Sequence, residues 1–320
     1  MKKNWLCLAA LAASCVSLSV MRVQAAPELM PDGEVFDAEY YAQQYPEVAA
    51  FMGSTDAQVL YSHYKLFGKD EGRHAQKPGE ELTAEELIMS GMVPEQELEK
   101  LMAELEIGEE ALKDYFAGSV FVGDSVMMGY KYHLNSFRDA VPASSVVLAS
   151  VGYSCIHALK EVDELHPAFR GQKQPVWKSI AELKPKRVFL FFGANDLVCS
   201  DSFTASRRVF ILADRIRAAS PGTEIKLISM TPVYGNACKG ALSNYGVDVL
   251  NSLLKQGAAE RGFGYVEINA YLKDEKGTLP AIYCSDELVH ETAPAYCIWD
   301  ERLTRFAMAE LAAAAEQKKQ

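Results

Sequence analysis

The sequence predicts an α/β fold in which a parallel sheet of about five strands is covered by helices on both faces. Two observations carry this. Short, continuously apolar runs recur between residues 119 and 268, and helix-like stretches separate them, the pattern of strands buried on both sides. Three of those runs also stop abruptly in glycine and small polar residues. Right-handed crossovers bring all such strand ends to one edge, where open α/β sheets bind ligands.

Upstream of that fold, Lys2 and Lys3 precede an apolar stretch from Trp5 to Met21, then Val23-Gln24-Ala25 before Ala26-Pro27. A charged start, an apolar middle and a small-residue end form a cleavable secretory signal over residues 1–25. The run is short for a membrane span, which takes about 20 apolar residues. Export and release are expected, with the mature protein secreted or otherwise outside the cytoplasm. Loss of Lys2, Lys3 and Arg22 changes the formal charge from −11 to −14. So acidic a chain, with no basic stripe, is not built for nucleic acid, where phosphate contacts reward cations. With 49% hydrophobic and 23% charged residues in 320, a sizeable packed core is expected instead.

Residues 36–76 differ in texture. Phe36, Asp37, Tyr40, Tyr41, Tyr45, Pro46, Glu47 and Val48, then His63, Tyr64, Gly68, Glu71, Gly72 and Arg73, form a pattern that resembles a small helical module found beside many exported bacterial domains. The resemblance implies no chemistry. It leaves cell-surface association through these aromatics as an expectation, beside the simpler reading that they are the core of a mini-bundle. Residues 77–117 are acidic and periodic. Thr83-Ala84-Glu85-Glu86 has capping-box form, Pro94 suits a first helical turn, and Gly108 divides two segments. They read as a helical connector to the α/β domain over 118–315.

Within that domain the strand-like runs are 119–122, 146–150, 187–192, 224–229 and 264–268, with helix-like stretches such as 205–219 and 246–261 between them. Gly123-Asp124-Ser125 follows the first run, Ser150-Val151-Gly152-Tyr153 the second and Gly193-Ala194-Asn195-Asp196 the third; Ser285-Asp286-Glu287-Leu288-Val289-His290 lies near the C-terminus. Each part fits acyl transfer at a serine. The Ser125 hydroxyl needs a base within hydrogen-bond reach, which His290 can supply near neutral pH. A carboxylate just upstream can hold the other ring nitrogen. Backbone N–H groups of Ser125 and Gly152, with the Asn195 amide, can converge on an oxyanion.

In this order the motifs resemble the SGNH (GDSL-type) hydrolases, over about residues 118–310. The resemblance implies a three-layer α/β/α, flavodoxin-like domain with a five-stranded parallel sheet. It implies Ser125 as nucleophile, Gly152 and Asn195 as oxyanion donors, His290 as base, Asp124 in a structural role and Asp196 shaping the Asn195 loop. The common pattern has an aspartate three residues before the histidine, where this chain has Glu287. Some exported members look similar to Ser285-Asp286…Val289-His290 followed by Tyr296 and Trp299, which favours Asp286 over Glu287. A serine–histidine dyad is the third arrangement.

The expected activity is hydrolysis of O-acyl esters, above all O-acetyl, on a cell-wall or other polysaccharide, with no cofactor and no metal. Lysophospholipase, thioesterase or acyltransferase chemistry at the same site, and a non-catalytic carbohydrate-binding role, are the alternatives. His63, His74, His133, His157 and His166 lack partners of that kind and read as structural or solvated. The mature chain keeps Cys155, Cys199, Cys238, Cys284 and Cys297. In an oxidising compartment one or two disulfides are expected. Cys284–Cys297 would tether the base by closing a loop of about 14 residues, for about 3 kcal/mol; Cys199 has Cys155 and Cys238 as candidate partners.

Overall fold

The computed structural model of the protein describes residues 28–30, 35–78, 84–90, 93, 95–137 and 141–319. The expected leader, Thr83 and Pro94 lie outside them. The chain divides into two compact units, Met1–Glu81 and Leu82–Gln320.

In the first unit α1 (Ala38–Gln44), α2 (Pro46–Met52) and α3 (Ala57–His63) follow one another, and a single wide turn, Tyr64–Gly68, continues α3. Asp37 caps α1 by accepting the Tyr40 N–H (2.8 Å), Pro46 opens α2, and Gly53 closes it in the left-handed region. Phe36, Tyr41, Tyr61 and Tyr64 are buried together with Val48 and Leu60. Arg73 bonds Glu47 and Glu71, each at 2.6 Å, and lies over the Tyr45 ring. The sequence pattern of this unit is thus a packing pattern. The unit is not purely helical, because Glu28–Leu29 and Val35–Phe36 pair as short antiparallel strands.

The second unit contains β1 (Ser119–Gly123), β2 (Val146–Ala149), β3 (Arg187–Phe191), β4 (Glu224–Ile228) and β5 (Gly264–Val266). They form one parallel sheet in the order β2-β1-β3-β4-β5, with Val120 opposite Val146 and Val188. This is the flavodoxin-like order, whose ligand crevice opens where the chain switches direction between β1 and β3. The helices are α4 (Ala84–Ser90), α5 (Glu95–Glu104), α6 (Glu109–Ala117), α7 (Ser125–Ser136), α8 (Cys155–Ala158), α9 (Val176–Leu183), α10 (Ala194–Cys199), α11 (Ser202–Ala219), α12 (Asn244–Arg261), α13 (Asn269–Leu272) and α14 (Ala293–Lys319). Helices α11 and α12 begin a few residues earlier than the apolar period suggests. Asp201 and Ser243 cap them, accepting the N–H of Thr204 (2.8 Å) and Gly246 (3.1 Å).

Successive residues of β3 face opposite sides of the sheet. Phe189 stacks on Phe121, with centroids 4.6 Å apart, and Phe191 packs on Trp299 of α14. On the other side α11 packs against both α9 and α12. Helices α4 and α5 belong to this unit as well: Ile88, Leu98 and Met102 bury against Ala309 and Ala312 near the end of α14.

Candidate active site

Ser125 stands at the β1/β3 switch point because β1 ends at Gly123 and α7 starts at the serine itself. Gly123 leaves no room for a side chain, since a Cβ there would lie 2.8 Å from the Phe191 carbonyl oxygen. Asp124 caps the helix by accepting the Val126 N–H at 2.9 Å. With that task done by its neighbour, Ser125 has its hydroxyl free for other work. The hydroxyl lies 2.9 Å from His290 Nε2.

His290 arrives on the loop before α14. Ser285 binds back to it through N–H and Oγ, which donate to the His290 carbonyl at 2.8 and 3.1 Å. Asp286 organises the interior of the loop. Its Oδ1 accepts the N–H groups of Leu288, Val289 and His290 at 2.9, 3.0 and 3.0 Å, and its Oδ2 bonds His290 Nδ1. Glu287 occupies the tip at φ 60°, in the left-handed region that L residues rarely adopt. That tight turn brings the carboxylate four residues before the histidine, rather than three, onto the ring. Partial burial pushes the Asp286 carboxyl up, but the bonds from the His290 ring and the loop N–H groups together outweigh it and hold it at about 2. It is an anion across the neutral range. A serine O–H donating to Nε2 and an Nδ1–H donating to Asp286 make one consistent tautomer.

The expected oxyanion donors cluster nearby. Gly152 has φ 74°, and the nearest atom to a Cβ there would be 3.7 Å away, on Leu165. Backbone conformation, not lack of space, therefore calls for glycine. Its turn is fixed against β1 by the Ser150 N–H on the Gly123 carbonyl (3.4 Å). The Ser125 N–H sits in the first turn of α7, where no intrahelical acceptor exists. Asn195 Nδ2 donates to the Tyr153 carbonyl (3.1 Å) and, more weakly, to Asp124 Oδ2 (3.4 Å).

Asp196 couples two of these loops. Its oxygens accept the N–H groups of Cys155 (3.1 Å) and Ile156 (3.2 Å), so the β3 loop is bonded directly to the segment after β2. Burial pushes its carboxyl up to about 6 and that of Asp124 up to about 7.

Residues 121–297, more than half of the chain, match the GDSL-like lipase/acylhydrolase family. The chain belongs to that family. It is an ester hydrolase. No curated protein matches this acylhydrolase. Its fold is similar to that of a GDSL-like lipase from Bacteroides thetaiotaomicron (15% identity, TM-score 0.45, covering 62% of this chain and 88% of that one). It is also similar to a carbohydrate esterase family 3 protein from Talaromyces cellulolyticus (12%, 0.42, 62% and 98%). A phospholipase A1 from Streptomyces albidoflavus is a third (16%, 0.37, 57% and 98%).

The other histidines of the acylhydrolase that the structure bonds have partners other than Ser125. His133 is buried on Asp300 (2.7 Å), His166 on Asp163 (2.9 Å), and His157 meets Ser154 (2.9 Å). His63 contacts the Tyr41 hydroxyl at 3.2 Å. The five described cysteines are all unbonded, so neither expected disulfide forms. The His290 loop is tethered by hydrogen bonds instead, including a backbone bridge between Cys284 and Glu291.

Glu291 is the residue that sequence reasoning passed over. It adjoins the histidine, is 7% exposed, and no hydrogen bond reaches either carboxyl oxygen. Burial pushes it up to about 8, against the pull of nearby Thr231 and Trp299, whose Oγ1 and Nε1 are likewise buried without partners. Its folded value lies above the ordinary 4.5, so its stabilising contribution is complete below about 4.5 and drains away as pH rises through about 8. Glu291→Gln, uncharged and of similar shape, removes that titration. Thermal unfolding at a series of pH values should show the wild type losing Tm relative to the variant above about pH 5, with the widest gap above about pH 8. Parallel curves would mean that Glu291 is not held neutral.

Proposed function

We propose that the protein is an exported serine esterase that removes short O-acyl groups, above all acetyl, from a polysaccharide. The 2.9 Å contact between Ser125 Oγ and His290 Nε2 carries this reading. In the reaction, Oγ attacks the ester carbonyl while Nε2 takes its proton. The carbonyl oxygen becomes an oxyanion held by the N–H groups of Ser125 and Gly152. Asn195 joins them by giving up its 3.4 Å contact with Asp124. Collapse expels the alcohol, which leaves with the proton from Nε2, and the acyl group stays on Ser125. Water then attacks that ester by the same route, Nε2 taking its proton and returning it to Oγ as the carboxylic acid departs. Asp286 stays ionised throughout and stabilises the imidazolium formed in each half-reaction.

One feature favours an ester carried on a large alcohol. The His290 and Asp286 side chains are 43% and 32% accessible, which suits an ester carried by a polymer. A series of p-nitrophenyl esters tests the reading. We expect kcat/KM to fall at least about tenfold from acetate to octanoate, the loss of about 1.4 kcal/mol of transition-state binding. A rise with chain length would favour the lysophospholipase or thioesterase alternative.

A further inference from the structure

A cleft of about 310 Å³ lies between the loop after β4 and the loop that follows α13. That volume is at the lower end of small-ligand sites, about 300–1,000 Å³. Tyr234, Asn236, Asp274, Lys276, Thr278 and Pro280 are among its lining. It opens at the same carboxyl edge of the sheet as the Ser125 and Asn195 loops, two strands along from β1. It is also joined to the loop of the base. The Tyr234 N–H donates to the Leu288 carbonyl at 2.8 Å, two residues before His290. On the other wall, Pro280 accepts the Tyr283 N–H at 2.9 Å, and the chain runs on into Asp286.

Both walls are stiffened from behind. The Asn244 side chain bonds Val233 N–H (3.0 Å), Val233 carbonyl (3.1 Å) and Gly235 carbonyl (2.8 Å). Asp274 Oδ1 accepts the N–H groups of Lys276 (3.0 Å) and Thr278 (2.9 Å). The half-exposed Tyr234 ring and the exposed Asn236 and Lys276 side chains stand on these walls. Among the described residues no hydrogen bond engages the Tyr234 hydroxyl, the Asn236 amide or the Lys276 ammonium. An aromatic face beside amide and ammonium donors and a carboxylate suits a neutral polyhydroxylated ring. An acyl chain in the same place would strip water from Asn236, Asp274 and Lys276 without replacing their hydrogen bonds.

We propose that this cleft is the subsite for the sugar that carries the ester, with Tyr234 and Asn236 as its specificity-determining residues. The assignment rests on the esterase reading above. It is tested with p-nitrophenyl acetate, O-acetylated xylotetraose and an O-acetylated N-acetylglucosamine–N-acetylmuramic acid disaccharide, using the wild type, Tyr234→Ala and Asn236→Ala. The expected result is a drop of about tenfold in the ratio of kcat/KM on a sugar ester to kcat/KM on p-nitrophenyl acetate, mostly through KM. Tyr234 binds Leu288 through its backbone, so alanine leaves that bond in place, and exposed Asn236 gives an independent second variant. Sugar-to-phenyl ratios within about twofold of wild type in both variants overturn the proposal. So does a wild type that hydrolyses p-nitrophenyl acetate but neither sugar ester. A wild type inactive on p-nitrophenyl acetate as well overturns the esterase reading beneath it.

Discussion

Ser125→Ala is expected to lower kcat on p-nitrophenyl acetate by at least about 10⁴-fold while KM stays within about threefold. The alanine has no atom that can form the acyl bond, whereas the oxyanion donors and the substrate walls remain. Folding should survive the change. Ser125 is not the cap of α7; that task falls to Asp124, which accepts the Val126 N–H. Chemical denaturation should therefore find the variant within about 0.5 kcal/mol of wild type. Steady-state kinetics on the folded variant then reports chemistry alone. A loss of less than about tenfold would remove Ser125 from the nucleophile's role and the acyl-enzyme with it.

The second large effect separates two neighbouring acids. Asp286→Asn should cost about 10⁴-fold in kcat, whereas Glu287→Gln should change it by less than about twofold. Asparagine keeps an Oδ1 that can accept the N–H groups of Leu288, Val289 and His290, so the loop is preserved. What changes is Oδ2, which bonds His290 Nδ1 in the native chain. An NH₂ group there donates, and imidazole must answer with a bare Nδ1 and a protonated Nε2. That tautomer cannot accept the Ser125 proton. The imidazolium also loses the anion that stabilises it. Glu287 faces outward at the tip of the turn, and its contribution is backbone shape. Equal losses in both variants would indicate that disruption of the loop, not tautomer control, sets the rate.

Much of this architecture was legible because it rests on local signals. Past their first residues, Ser119 and Arg187, the runs at 119–122 and 187–192 are apolar without alternation, which suits strands buried on both faces, and both are interior strands of the sheet. Ser125, Gly152, Asn195 and His290 stand out because each interrupts an apolar or periodic pattern. Choosing Asp286 over its neighbour was harder. Sequence spacing does not reveal that position 287 enters the left-handed region, and that one dihedral decides which carboxylate meets the ring. The tertiary partners were the least legible. The periodic helices at 84–104 show an apolar stripe, but nothing local says that Ala309 and Ala312 complete it. The cysteine pairing expected from compartment and spacing is replaced by free thiols, and a backbone bridge between Cys284 and Glu291 closes the loop of the base. Glu291 was missed for a similar reason: its neutrality follows from surroundings that three separate segments assemble.

The bond from Asp196 to the segment beyond β2 has a consequence for how such a protein can change over generations. The two backbone stretches that would cradle negative charge are not separate parts to be tuned in turn, since the same carboxylate registers one against the other. A substitution that shifts either stretch is transmitted to its companion, so accepted changes there should come in matched sets. The wall where Tyr234 and Asn236 stand is tied through its backbone, to Leu288 and to the Asn244 side chain, so those two side chains can vary while the chemistry stays put.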